Sequence, residues 1–358
     1  MKKKIVTILM TGVICASLAA CGSDSGTTVL EQTEEPAAEE QASEEAEDVQ
    51  TEETDTQLSG KVVVYMPSPS GLNEKYVEAF EESTGVEVEL FEGTTGEILA
   101  RLEAEKENPV ADVVVLASWS DGLSLKETGA LQSYAPENVD KLYSDWVDDD
   151  SMLFGTSASA VGVIYNTTLI DNLDADWTEL LDEQYRDMIA IPDPEKSGSC
   201  KDFLAGYMYA NDEDWSLWEG LADLGMVVPG ANKAALESVT TGEKAILLAG
   251  VDYNAYSSMA DGEPLALYYP ESGTVINPRP AMILNTSSNL ENAQAFVDFL
   301  LSDTAQQLVA DAYLLPGRTD IACSNRTNVS DIPTFDLDWN WMLEHSDDIA
   351  ANLNALCE

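Results

Sequence analysis

The chain has 358 residues, and its 66 acidic against 17 basic side chains give a formal net charge of −49 at neutral pH. So strong a negative field repels polyphosphate chains and anionic headgroups, which excludes nucleic acid and anionic lipid surfaces as partners. The single histidine, His345, sits in an acidic stretch with no Gly-x-Ser-x-Gly elbow to serve, so a serine or cysteine triad has no good base.

The first element is a targeting segment. Lys2, Lys3 and Lys4 precede an apolar stretch over residues 5–18, and Leu18-Ala19-Ala20-Cys21 places small residues ahead of a cysteine. Residues 1–21 therefore read as a lipoprotein signal with Cys21 as the lipidated residue. The apolar stretch is well short of the ~20 residues of a spanning helix, which argues against an uncleaved anchor. Acyl chains on Cys21 would hold the protein at the outer face of the cytoplasmic membrane, each buried methylene contributing about 0.8 kcal/mol. Residues 22–60 follow as an acidic tether. They contain no basic and no aromatic residue, so they cannot bury enough apolar surface to offset their ordering entropy, and self-repulsion is expected to extend them.

From residue 61 to residue 358 the chain alternates β-rich runs with helical patterns, as α/β domains require. A strand is expected over residues 61–65, a polar loop over 67–71, and a helix around 74–82. The next strand spans 86–90, after which Gly93-Thr94-Thr95-Gly96 opens a helix through Lys106. A third strand at 112–116 is followed by Ala117-Ser118-Trp119-Ser120 and another helix. Three such units predict a parallel sheet with its loops gathered at the strand C-terminal ends. The second half repeats the pattern. Residues 188–191 lead into a polar loop, 193–199, and a helix from about Lys201, while residues 244–249 lead into Val251-Asp252-Tyr253-Asn254 and a further helix. Two lobes follow, 61–160 with 280–315 and 161–279 with 316–358. They are crossed by strand-like segments at 161–166 and 265–284 that act as a hinge, with a ligand cleft where the two sets of loops meet.

Cysteine usage is sparse. With Cys15 lost in the signal and Cys21 acylated, Cys200, Cys323 and Cys357 remain, an odd number in an outward-facing chain. One disulfide would leave one free thiol, with Cys323 and Cys357 the first pair to test. The spacing matches no zinc pattern.

The stretches Val62-Val63-Val64-Tyr65, Phe80-Glu81-Glu82-Ser83-Thr84-Gly85-Val86-Glu87-Val88, Gly93-Thr94-Thr95-Gly96-Glu97-Ile98-Leu99-Ala100-Arg101-Leu102 and Ala111-Asp112-Val113-Val114 resemble the N-terminal lobe of type 2 periplasmic binding proteins. More narrowly, the resemblance is to the ferric iron, thiamine, phosphonate and sugar phosphate receptors of ABC importers. Val163-Ile164-Tyr165-Asn166, Ile191-Pro192-Asp193-Pro194, Ser197-Gly198-Ser199, Tyr269-Pro270-Glu271-Ser272-Gly273-Thr274 and residues 293–301 continue it in order. The resemblance implies two doubly wound lobes joined by a two-stranded hinge, a small-molecule ligand, a permease as partner, no cofactor and a monomer. It places ligand contacts at Ser68, Thr94, Thr95, Gly96, Ser118, Ser157, Ser159, Ser197, Gly198, Ser199, Asp252, Tyr253 and Asn254. Small hydroxyls and glycine at helix starts offer donors to a phosphate, phosphonate or carboxylate; each loop alone is better read as an ordinary N-cap, and it is their convergence in one cleft that favours a ligand.

Ferric iron is the alternative ligand, with Asp252, Tyr253 and Tyr256 as hard oxygen donors. The tyrosine spacing departs from that of the iron receptors and the first loop carries Pro67 and Ser68, so an organic anion is favoured. Lys196, Lys201, Arg279 and Arg318 are the cations that could assist it, while Arg101 is expected to pair with Glu97 or Glu105. Trp119 could stack on the ligand or cover the cleft. A secreted hydrolase using paired carboxylates is the rival class, and acids are too plentiful to single out a pair. A sensor or adhesin would keep the same fold and differ only in lacking a permease. The expected mechanism is hinge closure on the ligand.

Overall fold

Branched and aromatic side chains suit a sheet covered on both faces, and Val62-Val63-Val64-Tyr65 forms the buried body of β1 (Lys61–Met66). It is followed by α1 (Ser70–Thr84), β2 (Glu87–Glu92), α2 (Thr95–Ala104), β3 (Val113–Val115), α3 (Trp119–Glu127) and β4 (Leu131–Gln132). The computed structural model describes residues 58–67 and 69–358. The expected signal, Cys21, the tether up to residue 57 and Ser68 lie outside the described residues. Leu58, within the expected tether, packs against the core, and Asn292 donates to the Ser59 carbonyl at 3.0 Å.

The chain continues through β5 (Phe154–Asn166), β6 (Ile189–Ala190), α4 (Gly198–Ala210), α5 (Ser216–Asp223), α6 (Asn232–Thr240), β7 (Ile246–Val251), α7 (Asp252–Ala260) and β8 (Leu265–Tyr268). Last come β9 (Ile276–Leu284), α8 (Leu290–Leu300), α9 (Asp303–Asp311), β10 (Leu315–Pro316) and α10 (Trp339–Leu356).

β1 lies between β2 and β3, all three parallel, as the strand–loop–helix units require. Beyond β3 the ladders through β9, β5 and β7 are antiparallel, which the sequence did not anticipate, and β6 closes the path parallel to β7. The reason is topological: β5 carries the chain out to the second lobe and β9 brings it back, so the two pair antiparallel with each other and β9 also pairs with β3. β5 is buried along its whole length. Its residues 154–160 pair with β9, and from Val161 onward it pairs with β7 and β8. The chain leaves the first lobe where β5 switches ladders at Ala160 and Val161, returns through the segment between β8 and β9, and passes over once more after β10 to reach α10. α10 packs on α4, α5 and α3 and so bridges both lobes.

Two expectations are corrected. Cys200, Cys323 and Cys357 are all unbridged. Instead of pairing, Cys323 donates to the Leu314 carbonyl at 3.3 Å, while Cys357 caps the C-terminus of α10 and packs against the core. Trp119 neither lids nor lines the cleft: it is buried in the core beside α2 and meets Trp339 at 6.5 Å between ring centroids.

Candidate functional site

The loops at the strand ends are shaped by their helix caps. Thr94 caps α2 in a reciprocal box: its hydroxyl accepts from the Glu97 amide at 3.2 Å, and its own amide donates to the Glu97 carboxylate at 2.7 Å. Glu97 is thereby engaged at the cap, and Arg101 pairs with Glu105 instead, at 2.8 Å. Ser197 caps α4, accepting from the Cys200 amide at 3.2 Å and donating to Asn232 Oδ1 at 2.7 Å. That second bond ties the start of α4 to the start of α6.

These loops enclose a cavity of about 340 Å3. Thr94 and Thr95 reach it from α2, Ser197 and Gly198 from α4, Asn232 and Lys233 from α6, Tyr253 and Asn254 from α7, and Arg279 from β9. Of the residues expected as ligand contacts, Thr94, Thr95, Ser197, Gly198, Tyr253 and Asn254 line the cavity. Gly96, Ser118, Ser157, Ser159, Ser199 and Asp252 are not in its lining. Ser118 caps α3 and donates to Asp202 at 3.0 Å. Ser199 sits behind Ser197, 3.2 Å between hydroxyls. Ser157 and Ser159 lie on β5 in register with Arg279 and Asn277. Gly96 abuts the other lobe, where an added Cβ would come within 2.9 Å of the Glu195 carbonyl oxygen.

Asp252 is committed to a different task. It is fully buried, its carboxylate is 2.5 Å from Arg326 Nη2, and it accepts from the Ala160 amide at 3.0 Å and the Tyr269 hydroxyl at 3.0 Å. Burial and the Asp252 charge push the Tyr269 phenol far above its ordinary pKa. Tyr256 shares a hydrogen bond with the Thr327 hydroxyl at 3.1 Å and stacks on Tyr313. Of the alternative iron donors, Tyr253 alone lines the cavity.

The electrostatics of the cavity run against those of the chain. Lys196, Lys233 and Arg279 line it, and among the described lining residues there is no aspartate or glutamate. The first turns of α2, α4, α6 and α7 all open on it, each adding the partial positive charge of unpaired N–H groups. Arg279 is buried, donates to the Pro67 carbonyl at 3.3 Å and lies 5.7 Å from the centroid of the Tyr253 ring. Lys196 pairs with Asp193 at 2.6 Å. Burial opposes charge on Asp193, but Lys196, Asn354 and the Glu195 amide outweigh it and hold that carboxyl below the ordinary range. Lys233 is exposed and has no ion pair among the described residues. The other two cations considered are engaged elsewhere, Lys201 with Asp121 and Asp347, Arg318 with Asp303 and Asp320. A depression of about 320 Å3 between α2 and α3 is mostly apolar, with Glu103 and Glu105 on its wall, and has no such convergence of helix starts.

Asn232 and Lys233 are the lining residues that the sequence reading missed. The turn Pro229-Gly230 just ahead of Ala231-Asn232 was an available signal for a helix start at that place.

Residues 108–345 match the family model of a bacterial extracellular solute-binding protein. The "Iron uptake protein A1" of Synechocystis is 25% identical over 253 residues, covering 66% of this chain and 70% of the relative. A "Putative 2-aminoethylphosphonate-binding periplasmic protein" of Salmonella typhimurium is 26% identical over 291 residues, covering 78% and 83%. Among solved structures, the periplasmic binding protein AfuA from Actinobacillus pleuropneumoniae, with exogenous fructose-6-phosphate bound, superposes with a TM-score of 0.74 at 22% identity, over 82% of this chain and 97% of that one. The chain belongs to the bacterial extracellular solute-binding proteins and has the two-lobed fold of type 2 periplasmic binding proteins.

Proposed function

We propose that this protein captures a small organic anion, a phosphonate or phosphate ester, in the interlobe cavity and delivers it to an ABC-importer permease, held at the membrane by lipid on Cys21. The observation that carries this reading is the inverted charge of the cavity. In a chain with 66 acidic residues, the described lining has three cations, four helix starts and no carboxylate. Such a wall stabilises a compact, multiply charged anion and gives little to a cation. The relative named for 2-aminoethylphosphonate and the neighbour holding fructose-6-phosphate are consistent with that ligand class. For ferric iron, two of the three candidate donors, Asp252 and Tyr256, have other partners, as described above. Capture and release need no bond-breaking step: contacts from both lobes favour the closed form, and the crossings along β5 and between β8 and β9 serve as the hinge.

A thermal-shift screen of the purified protein against phosphate monoesters, alkylphosphonates, aminoalkylphosphonates and ferric citrate tests this. A ligand present at a hundred times its Kd stabilises the native state by about 2.7 kcal/mol, a readable rise in Tm. The expected result is a shift with a phosphate or phosphonate compound. Compounds carrying an ammonium group are expected to bind more weakly, since no carboxylate of the described lining can pair with it. Lys233→Ala removes one charge-assisted contact and should weaken the ligand about tenfold to hundredfold, following the ~1.5–3 kcal/mol of hydrogen bonds to charged groups. A shift with ferric citrate alone, with a visible tyrosinate band that disappears in Tyr253→Phe, would replace the anion by iron.

A further inference from the structure

Next to the cavity, the lobes meet through a polar contact whose residues are not in the cavity lining. Asp202 lies in the second turn of α4 and is fully buried. Its carboxylate reaches across to the start of α3, where it accepts from the Ser118 hydroxyl at 3.0 Å, from the Trp119 amide at 2.8 Å, and from the Ser120 hydroxyl. The neighbouring Lys201 makes a second crossing, to Asp121 of α3, and also pairs with Asp347 of α10 at 3.1 Å. A carboxylate taken out of water is costly unless its oxygens are fully bonded. Here the donors come from the opposite lobe and are in place only when the lobes are together, and they offset only part of that cost.

We propose that Asp202 is the positioning residue for lobe closure, drawing the N-terminal turn of α3 onto α4 whether or not a solute is present. In doing so it brings Thr94 and Thr95 of one lobe and Ser197 and Gly198 of the other to a single anion. The assignment to solute capture rests on the cleft reading above, but the contact and its test do not depend on which solute binds. Populating the closed form in advance raises apparent affinity, because the observed Kd is the intrinsic value divided by the competent fraction.

The contact is sensitive to pH. The charged groups facing it are Asp121 from α3, Lys201 from its own helix and Asp347 from α10 through Lys201. Burial first, then the Asp121 charge, raise the pKa of Asp202 to about 7, against the opposing influence of Ser120, Lys201 and the Trp119 amide. In an open form the group returns towards the ordinary carboxyl value of about 3.9. A raised pKa means that the closed form binds the proton more tightly. This contribution to closure is therefore fully present below about pH 4 and is lost as pH rises through about 7. The Ser118 and Ser120 hydroxyls can turn to accept from the protonated acid, so the contact survives protonation.

The test is solution scattering of the ligand-free protein at pH 6 and pH 8, for wild type and for Asp202→Asn and Asp202→Ala. In wild type the ratio of closed to open form should fall about tenfold between the two pH values, one pKa unit corresponding to one factor of ten, and the radius of gyration should rise. Asp202→Asn keeps the shape and cannot ionise, so its radius should be the same, and compact, at both. Asp202→Ala should be open at both and should still contract when a phosphate ester that shifts the wild-type Tm is added. A wild-type radius that does not change with pH and equals that of Asp202→Ala overturns the proposal. Should Asp202→Ala fail to fold, wild type and Asp202→Asn decide alone: the same response to pH in both overturns it. Failure of every phosphate compound to bind would overturn the anion reading and leave this result standing.

Discussion

Replacing Arg326 by alanine is expected to lower stability by about 3–5 kcal/mol, the loss typical of removing one partner from a buried ion pair. The pair with Asp252 has no solvent access on either side chain, at 2.5 Å. Four separated parts of the chain meet there: Ala160 where β5 changes ladders, Asp252 at the start of α7, Tyr269 in the returning connection, and Arg326 in the segment before α10. Arg326 also donates to the Tyr313 carbonyl at 2.7 Å, so its loss orphans a backbone oxygen as well. Without the guanidinium, Asp252 keeps its bonds from Ala160, Tyr253 and Tyr269 but has no countercharge. Denaturant titration should show a lower midpoint with an unchanged slope, and Tm should fall on the order of 10 °C. Arg326→Lys should recover only part of this, since an ammonium restores the charge but not the fork that reaches Asp252 and Tyr313 together. Changing both partners, Asp252→Asn with Arg326→Leu, should cost much less than Arg326→Ala, because no charge is then left unpaired. A loss under about 1 kcal/mol for Arg326→Ala, the range of exposed pairs, would show that water reaches the pair and that it does not brace the hinge.

That pair also shows where sequence reading stops. Asp252 follows a strand and opens a helix, as Thr94 and Ser197 do in effect, and all three look alike along the chain. Their side chains meet different surroundings because the deciding partners are remote: Asp252 finds Arg326 at a sequence distance of 74, and Ser118 finds Asp202 at 84. What was legible is local. Gly93-Thr94-Thr95-Gly96 announced a helix start, though not the capping box with Glu97 that forms there; Val62-Val63-Val64-Tyr65 announced its buried strand, and successive strand–loop–helix units that their loops would share one end of a sheet. Depth was not legible. Ser197 and Ser118 cap helices of opposite lobes, yet Ser197 faces the cavity and Ser118 the interlobe contact. The antiparallel pairing of β5 and β9 was hidden for the same reason, since both strands take their direction from a lobe inserted between them. Lys233 was missed differently: the helix it begins follows a turn, not a strand, and so falls outside the repeating pattern on which the reading relied.

Substituting Gly198 by alanine should separate folding from capture more cleanly than a change at any other residue of the cavity wall. A Cβ built on Gly198 would lie 2.7 Å from Ser118 Cβ, 3.0 Å from the Ala117 carbonyl oxygen and 3.0 Å from Thr95 Oγ1. All three atoms belong to the first lobe, whereas Gly198 begins α4 in the second. Backbone and a Cβ cannot swing aside as a long side-chain end can, so the lobes must part by several tenths of an ångström. Within its own helix the methyl is harmless, and alanine has the better helix propensity. Overpacking of this kind costs about 1–3 kcal/mol, and here the cost falls on closure alone. The expected result is therefore a Tm of the ligand-free protein within a degree or two of wild type, with affinity for a phosphate ester that shifts the wild type reduced about tenfold to hundredfold. Gly71→Ala, where the added Cβ meets nothing within 4 Å, should leave both quantities unchanged. Wild-type affinity in Gly198→Ala would mean that the solute-bound form is more open than this structure at the α4 start, and that the anion is held mainly by one lobe. Loss of Tm and affinity together would mean that the contact between lobes is part of the folded core and not a surface that opens and shuts.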